Sequence, residues 1–265
     1  MHQLQNKTAI ITGSSAGIGK GMALLLARLG AHVVVTSRSQ DQAIQVVEEI
    51  TAAGGLATPC TFDLDDPGTI PALLATATGR TGRIDILVNN ALSRATTPPL
   101  PLQALEYHQL RDGVTANLTN VLALTAAAYP LLKAARGVVL NIGSAVVNRH
   151  TLGIPLYTIL KGALSQTTRV LAAEWAVDGI RVNQINPGFV STDSMAVRQT
   201  AATVTLMTQQ FAELHPLGRV GEVEDIASLA AYLVSPQAGW ITGAVIDSDG
   251  GYSVQGARFP LPSDR

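Results

Sequence analysis

T-G-S-S-A-G-I-G, residues 12–19, follows the apolar run K-T-A-I-I-T (7–12) and leads straight into a helical pattern beginning near residue 17. Glycines there permit a tight turn and close backbone approach, and the start of the helix offers free N–H groups to a pyrophosphate. A glycine-rich loop alone is weak evidence; one held between a strand and a helix is considerably stronger. The spacing G-x-x-x-G-x-G departs from the usual dinucleotide fingerprint G-x-G-x-x-G. The loop also lacks the G-K-[ST] ending of a P-loop, so NTP hydrolysis has no support.

Outward from this loop, short β-branched runs alternate with longer helical patterns. Further strands are expected at 32–37, 56–62, 84–89, 137–142, 180–185 and 243–247. Most are continuous apolar runs, as in strands buried on both faces of a parallel sheet. Helices are expected near 17–30, 40–54, 66–79, 103–135, 155–178 and 222–235, with Gly30, Gly54 and Gly179 placed to cap three of them. Repeated strand–helix–strand units imply right-handed crossovers, hence an α/β fold with helices on both faces of one sheet.

Composition agrees with a folded chain of one domain spanning 1–265. Of 265 residues 47% are hydrophobic and 14% charged, and 18 basic against 19 acidic side chains leave a net charge of −1. There is no basic excess to attract nucleic acid or an anionic membrane. Cys60 is the only cysteine, so no intrachain disulfide framework exists, and its strand-like setting suggests a buried thiol. His, Asp and Glu form no metal-like cluster, and no metal is expected. The N-terminus lacks a signal-peptide hydrophobic region, and the uncharged run 113–132 is interrupted by Asn117, Thr119, Asn120 and Pro130. That run reads as a buried helix and the chain as cytoplasmic. Residues 190–219 break the strand–helix rhythm and are read as a substrate lid, and 254–265 as a C-terminal tail.

Two local patterns concern chemistry. The second strand ends V-V-V-T-S-R, placing Ser37 and Arg38 where an NAD-selecting fold normally carries an acid for the ribose 2′-OH. A guanidinium suits a phosphate, so NADP(H) fits better than NAD(H). In P-L-Y-T-I-L-K-G-A-L, Tyr157 and Lys161 lie four apart on one helical face. A nearby cation favours the phenolate and would lower a phenol pKa of about 10. By itself the pair reads either as an acid/base catalyst or as a solvent-facing lysine beside a packing tyrosine.

Taken together, T-G-x-x-x-G-x-G at 12–19, D-L at 63–64, N-N-A at 89–91, Asn117, Ser144, Y-x-x-x-K at 157–161, N-P-G at 186–188 with Thr192, and D-G-G at 249–251 resemble the short-chain dehydrogenase/reductase family over nearly all of residues 5–253. The resemblance implies a doubly wound, Rossmann-type three-layer sandwich with seven parallel strands in the order 3-2-1-4-5-6-7. It implies that the loop from Gly13 through Ser15, Gly17 and Ile18 to Gly19 holds the pyrophosphate. Asp63 and Leu64 would border the adenine and Asn90 would lie by the cofactor, with Pro187, Gly188, Val190 and Thr192 on the nicotinamide side. Since Ala16 stands where some relatives have a basic residue, NADP(H) preference would rest on Arg38 with help from Ser37 or Ser15. Ser144 would hydrogen-bond the substrate oxygen, and Tyr157 would exchange a proton with it. Lys161 would lower the phenol's pKa and bind the nicotinamide ribose, and Asn117 would position a water linking Lys161 to solvent. A homotetramer is implied, with a dimer as the other state.

Three departures stand out. Leu92 replaces the glycine that often follows N-N-A, Thr158, Ile159 and Leu160 replace small residues between Tyr157 and Lys161, and Arg149 and His150 lie in the loop after Ser144. Bulky residues at 158–160 are expected to alter helix or subunit packing, and Arg149 and His150 to be exposed. Substrate walls are expected from Leu92, Ser144, Ala145, Val146, Leu152, Phe189, Met195 and Leu206, a largely apolar set that suggests a hydrophobic ketone or alcohol. The favoured activity is an NADP(H)-dependent carbonyl reductase, of the 3-oxoacyl reductase kind; the rivals are an NAD(H)-dependent alcohol dehydrogenase and a non-catalytic NADP-binding sensor or scaffold. An enoyl reductase would space its pair Y-x-x-x-x-x-x-K, and seven residues before Lys161 stands Ile154.

Overall fold

Neighbouring residues of the first strand, Ile10 and Ile11, are both fully buried but enter different cores, because successive strand side chains point to opposite faces. The same alternation runs through the sheet of this computed structural model, which describes residues 3–192 and 200–256. The strands are β1 (Thr8–Ile11), β2 (His32–Ser37), β3 (Leu56–Thr61), β4 (Ile86–Asn89), β5 (Val138–Ile142), β6 (Arg181–Pro187) and β7 (Val245–Ser248). All pair in parallel in the order β3-β2-β1-β4-β5-β6-β7, as the resemblance implied.

Against one face pack α1 (Gly17–Arg28) and α2 (Gln40–Ala52), where Met22, Leu26, Val46 and Ile50 meet Val33, Val35, Val88 and Leu140. Against the other pack α3 (Ile70–Thr81), α5 (Asn120–Ala135) and α6 (Pro155–Trp175), through Leu73, Leu124, Leu132 and Leu164. Each fully buried side chain of this size contributes about 1.5–3 kcal/mol relative to exposure. Pro155 opens α6, where its missing N–H costs nothing. Gly30, Gly54 and Gly179 all have positive φ, as their expected capping role requires.

The helix expected over 103–135 is not continuous. α4 (Tyr107–Val114) runs into a π-helical turn at Thr115–Thr119, and α5 follows. Tyr107–Ala135 is long and apolar enough to cross a membrane by length and composition, yet Val121, Leu124, Ala128 and Leu132 pack into the core. In the expected lid, Val190 bridges to Gly221, and α7 (Ala201–Leu214) precedes α8 (Val223–Val234), which packs on the α1 side of the sheet. Met195 and residues 257–265 of the expected tail lie outside the described residues.

Candidate active site

β1 pairs with β2 on one side and β4 on the other, so the chain reverses direction across the sheet there and a crevice opens at the strands' carboxyl ends. The glycine loop sits in this crevice. Thr12 Oγ1 donates to Val88 O and accepts from the backbone N–H groups of Asn90 (2.9 Å) and Ala91 (3.0 Å). Asn90 Nδ2 donates to Thr12 O and Gly13 O, so this residue braces the loop that it was expected to accompany. A Cβ on Gly19 would lie 2.2 Å from Gly13 O and 2.6 Å from Asn90 Nδ2, which no side chain permits. α1 starts with no side-chain cap and no acid in its first turn, leaving its N–H groups available to an anion. A cradle that only glycine can form, at an uncapped helix start, fits a dinucleotide pyrophosphate.

At the end of β2 the Ser37 hydroxyl donates to Gln42 Oε1 (3.1 Å) and accepts from Ser39 N–H, so it is already engaged in its own turn. Arg38 is exposed and makes no salt bridge among the described residues. Of the expected 2′-phosphate ligands Arg38 is therefore free where Ser37 is engaged, and Ser15 is half-buried in the glycine loop. Asp63 and Leu64 follow β3; Asp63 Oδ1 accepts from Asp65 N–H, and Leu64 O accepts from Asn120 Nδ2.

The catalytic candidates converge beyond β5. Ser144 is buried and donates its backbone N–H to Asn186 Oδ1 (3.1 Å). Behind it runs a buried polar chain that the sequence did not announce: Gln184 Nε2 donates to Asn186 Oδ1 and Ser165 Oγ, and Asn141 Nδ2 to Thr168 Oγ1. This chain fixes the end of β5 against β6 and α6. The Ser144 side chain faces the Tyr157 phenol closely enough to oppose the rise in its pKa. Lys161, one turn further along α6, is buried, with Nζ 2.6 Å from Ile142 O and 5.8 Å from the centre of the Tyr157 ring.

The Lys161 ammonium donates to Ile142 O and not to the phenol. Burial raises the Tyr157 pKa, opposed by the Ser144 side chain and by the Arg94 charge. Burial, together with Arg94, brings Lys161 down to about 8. Arg94 was missed in the sequence; its signal was the L-S-R that follows N-N-A, read only through Leu92.

Asn117 lies in the π turn, and its side chain is already committed. Oδ1 accepts from Ser93 N–H (2.8 Å), while Nδ2 donates to Ser93 O, Thr96 Oγ1 and Gly113 O. Its direct partners are thus backbone and Thr96, not Lys161. A cavity of about 10 Å³, the room of one water, is nevertheless lined by Asn117, Lys161, Tyr157, Asn89 and Leu92. Leu160 lines it too, so this residue fills space behind Tyr157 and Lys161, the helix-packing side of the expected alternatives.

On the opposite side, Gly188 N–H donates to Ser248 O and Gly221 N–H to Phe189 O, holding the segment after β6 over β7. Thr192 comes back to the glycine loop, its Cγ2 3.3 Å from the Cβ position of Gly17. A second cavity, about 390 Å³, lies between Phe189, His215, Arg219 and the turn 249–251. Ala145 is buried and Val146 half-buried beside Ser144, but Leu152 (95% exposed) and Leu206 (54%) face solvent and do not wall the site here. His150 is exposed, as expected. Arg149 is not: it lies over the Tyr252 ring, 4.5 Å from its centre, and donates to Tyr252 O. The cation left exposed beside the reacting groups is Arg94.

A family model described as enoyl-(acyl carrier protein) reductase matches residues 13–253. The 3-oxoacyl-[acyl-carrier-protein] reductase of Vibrio cholerae serotype O1 is 35% identical over 251 residues, covering 94% of this chain and 98% of that protein. The 7alpha-hydroxysteroid dehydrogenase of Escherichia coli (strain K12) is 34% identical over 251 residues, covering 94% and 95%. A solved 7 alpha-hydroxysteroid dehydrogenase complexed with NADH and 7-oxo glycochenodeoxycholic acid matches with TM-score 0.85 at 34% identity, over 94% and 95% of the two chains. A short-chain dehydrogenase/reductase of unknown function from Caenorhabditis elegans, solved with cofactor, matches with TM-score 0.86 at 30% identity, over 95% and 97%.

Proposed function

The chain belongs to the short-chain dehydrogenase/reductase family, an oxidoreductase family acting on CH–OH and C=O groups, and we propose that it is an NADP(H)-dependent carbonyl reductase of the 3-oxoacyl reductase kind. The observation that carries this reading is the convergence of buried Ser144 at the end of β5 with Tyr157 and buried Lys161 one turn apart on α6, the Lys161 Nζ 5.8 Å from the Tyr157 ring centre. The enoyl reductase description of the family model is not adopted for the activity, since the Tyr and Lys here stand four residues apart.

The nicotinamide supplies hydride to the carbonyl carbon when bound. Ser144 and Tyr157 receive the carbonyl oxygen between two hydroxyl donors, and the phenol gives its proton to that oxygen as negative charge develops there. A phenol held high by burial stays protonated at neutral pH, which suits the reductive direction. Lys161, down at about 8, can hand on a proton near neutrality. The one-water cavity between Lys161 and Asn117 supports the relay expected there. Arg38 would hold the 2′-phosphate, and the glycine cradle the pyrophosphate. We also propose a homo-oligomer, supported by the exposed Leu122 on α5 and Ile159 and Val170 on α6, and a cytoplasmic location.

NADPH and NADH oxidation against aliphatic, aromatic and β-keto ester carbonyls tests the reading. Turnover with NADPH is expected; tight NADPH binding with no turnover on any carbonyl would favour the scaffold. The NAD(H) rival draws on the NADH-bound hydroxysteroid dehydrogenase. Arg38→Asp separates the two. It should cut the NADPH-over-NADH preference in kcat/KM by about 10- to 100-fold, the worth of one charged hydrogen bond. An unchanged ratio removes Arg38 from the cofactor site.

A further inference from the structure

His215 is the first residue after α7, and it is only 3% exposed although its neighbours on that helix are not buried. Both ring nitrogens are engaged with backbone. Nδ1 lies 2.5 Å from Phe211 O, and Nε2 accepts from Phe189 N–H at 3.2 Å. With Nε2 as acceptor, the proton sits on Nδ1 and is donated to Phe211 O. One imidazole therefore joins the last turn of α7 to the loop that follows β6.

Side-chain packing repeats the link. The rings of Phe189 and Phe211 stack with centroids 3.9 Å apart and planes 6° from parallel. A Cβ on Gly188 would meet His215 Nε2 at 2.8 Å, so the loop approaches the imidazole as closely as glycine allows. Tyr252 closes the far side, 5.4 Å from the imidazole centre, and itself carries Arg149 from the loop after Ser144. α7 has no fully buried side chain among its described residues, so this clamp is its principal attachment.

We propose that His215 is a positioning residue. Through Phe189 N–H and Phe211 O it clamps the Pro187–Gly188–Phe189 loop to α7, and so sets the wall against which the nicotinamide half of the cofactor rests. The proposal rests on the cofactor reading above. It makes the dinucleotide's two halves independent: His215 governs the nicotinamide end and leaves the glycine cradle untouched.

That independence provides the test. Isothermal titration of the full chain is made with NADPH and NADH, and with 2′,5′-ADP and 5′-AMP, which reach only the adenine half. His215→Asn keeps an amide donor near Phe211 O but is too short to place an acceptor at the Nε2 position for Phe189 N–H. It should weaken the preferred dinucleotide about 10-fold or more while its adenine-half ligand stays within about 2-fold. His215→Gln, whose longer amide can reach the Nε2 position, should recover most of that loss. Phe211→Leu, which removes only the ring stack, should give the same selective loss at a smaller factor, and keeps the test available should His215→Asn fail to fold. Equal affinity of variant and parent for both ligands overturns the inference, and so does a parallel loss of both, the mark of a merely structural residue. A parent that binds neither dinucleotide overturns the cofactor reading and the inference with it.

Discussion

α6 and α7 both reach the carboxyl end of the sheet, and they are held there in opposite ways. α6 buries Leu156, Leu160, Lys161, Leu164, Ser165, Thr168 and Ala172 along its length, and polar bonds from its inner face reach Gln184 and Asn141. α7 is anchored mainly where it ends, at Phe211 and His215, and leaves Leu206 and Leu214 to solvent. Tyr157 and Lys161 on the first helix have their geometry fixed by a packed core. Side chains carried on the second can be exchanged or moved at little cost. With the roles proposed above, the fold separates a rigid set of proton-handling groups from a loosely attached segment, the arrangement expected where one chemistry serves many substrates.

The sharpest break of that division is at Tyr157. Tyr157→Phe removes one oxygen from a helix whose packing is otherwise unchanged, so NADPH affinity and thermal stability should remain close to the parent's. Carbonyl turnover should fall about 10²- to 10⁴-fold, the usual worth of a positioned general acid. Steady-state kinetics beside a thermal melt decide it, and undiminished turnover would remove the phenol from the chemistry.

Stability should divide along the same line. Leu164→Ala, at a buried position of α6, should cost about 2–5 kcal/mol in denaturant unfolding. Leu206→Ala on α7, at a solvent-facing position, should stay within about 0.5 kcal/mol. Equal costs at the two sites would mean that α7 is as firmly packed as α6.

Much of this was legible in advance, for identifiable reasons. Strands buried on both faces read as continuous apolar runs, which made β1, β2, β4 and β5 plain, whereas β6, with its buried amides, and the partly buried β3 and β7 were seen through the β-α-β alternation. Ser144, Tyr157 and Lys161 were legible as residues of a motif. The direction of the Lys161 ammonium was not, because Ile142 O is a backbone atom nineteen positions away whose approach depends on how β5 meets α6. The π turn around Asn117 was hidden for a similar reason: nothing in V-T-A-N-L-T-N distinguishes it locally from a continuous helix. His215 escaped because its two partners are main-chain groups, which have no residue signature.

Lys161→Met sharpens the comparison from the side of cost. The buried ammonium, at about 8 in the fold and 10.5 in the reference state, corresponds to about 3 kcal/mol of unfavourable burial. Below pH 8 the lysine is protonated folded or unfolded, and the whole penalty is present. Between about 8 and 10.5 the folded chain binds fewer protons, so the parent gains stability as pH rises through that window. The methionine variant should therefore lose turnover yet melt higher at pH 7, with its advantage shrinking toward pH 10.5. A variant less stable at every pH would show that the bond to Ile142 O outweighs the burial.

His32 is a second buried basic residue, at the start of β2 and outside the site, and it supplies the control. Its Nε2 meets Thr58 Oγ1 at 2.8 Å, while Nδ1 is buried without a partner. Burial, followed by the Arg80 charge, lowers its pKa below 6.5. As pH falls past 6.5 the unfolded chain takes up a proton that folded His32 refuses, so stability declines until the folded pKa is passed. Asp225, held at about 2 by Arg219 and the Glu222 backbone, loses its stabilising contribution only below its unfolded value near 3.8, in a separate window. His32→Val should flatten the unfolding free energy between pH 6.5 and 5 and leave the Asp225 limb in place. Its pH–kcat profile should match the parent's, whereas loss of the buried charge at Lys161 removes turnover outright. An unchanged slope between pH 6.5 and 5 would mean that His32 is solvated enough to titrate normally. If the profile of kcat moved instead, the β2 edge and the catalytic end would be coupled, and the separation of fixed chemistry from the rest of the sheet would fail where the smallest effect is expected.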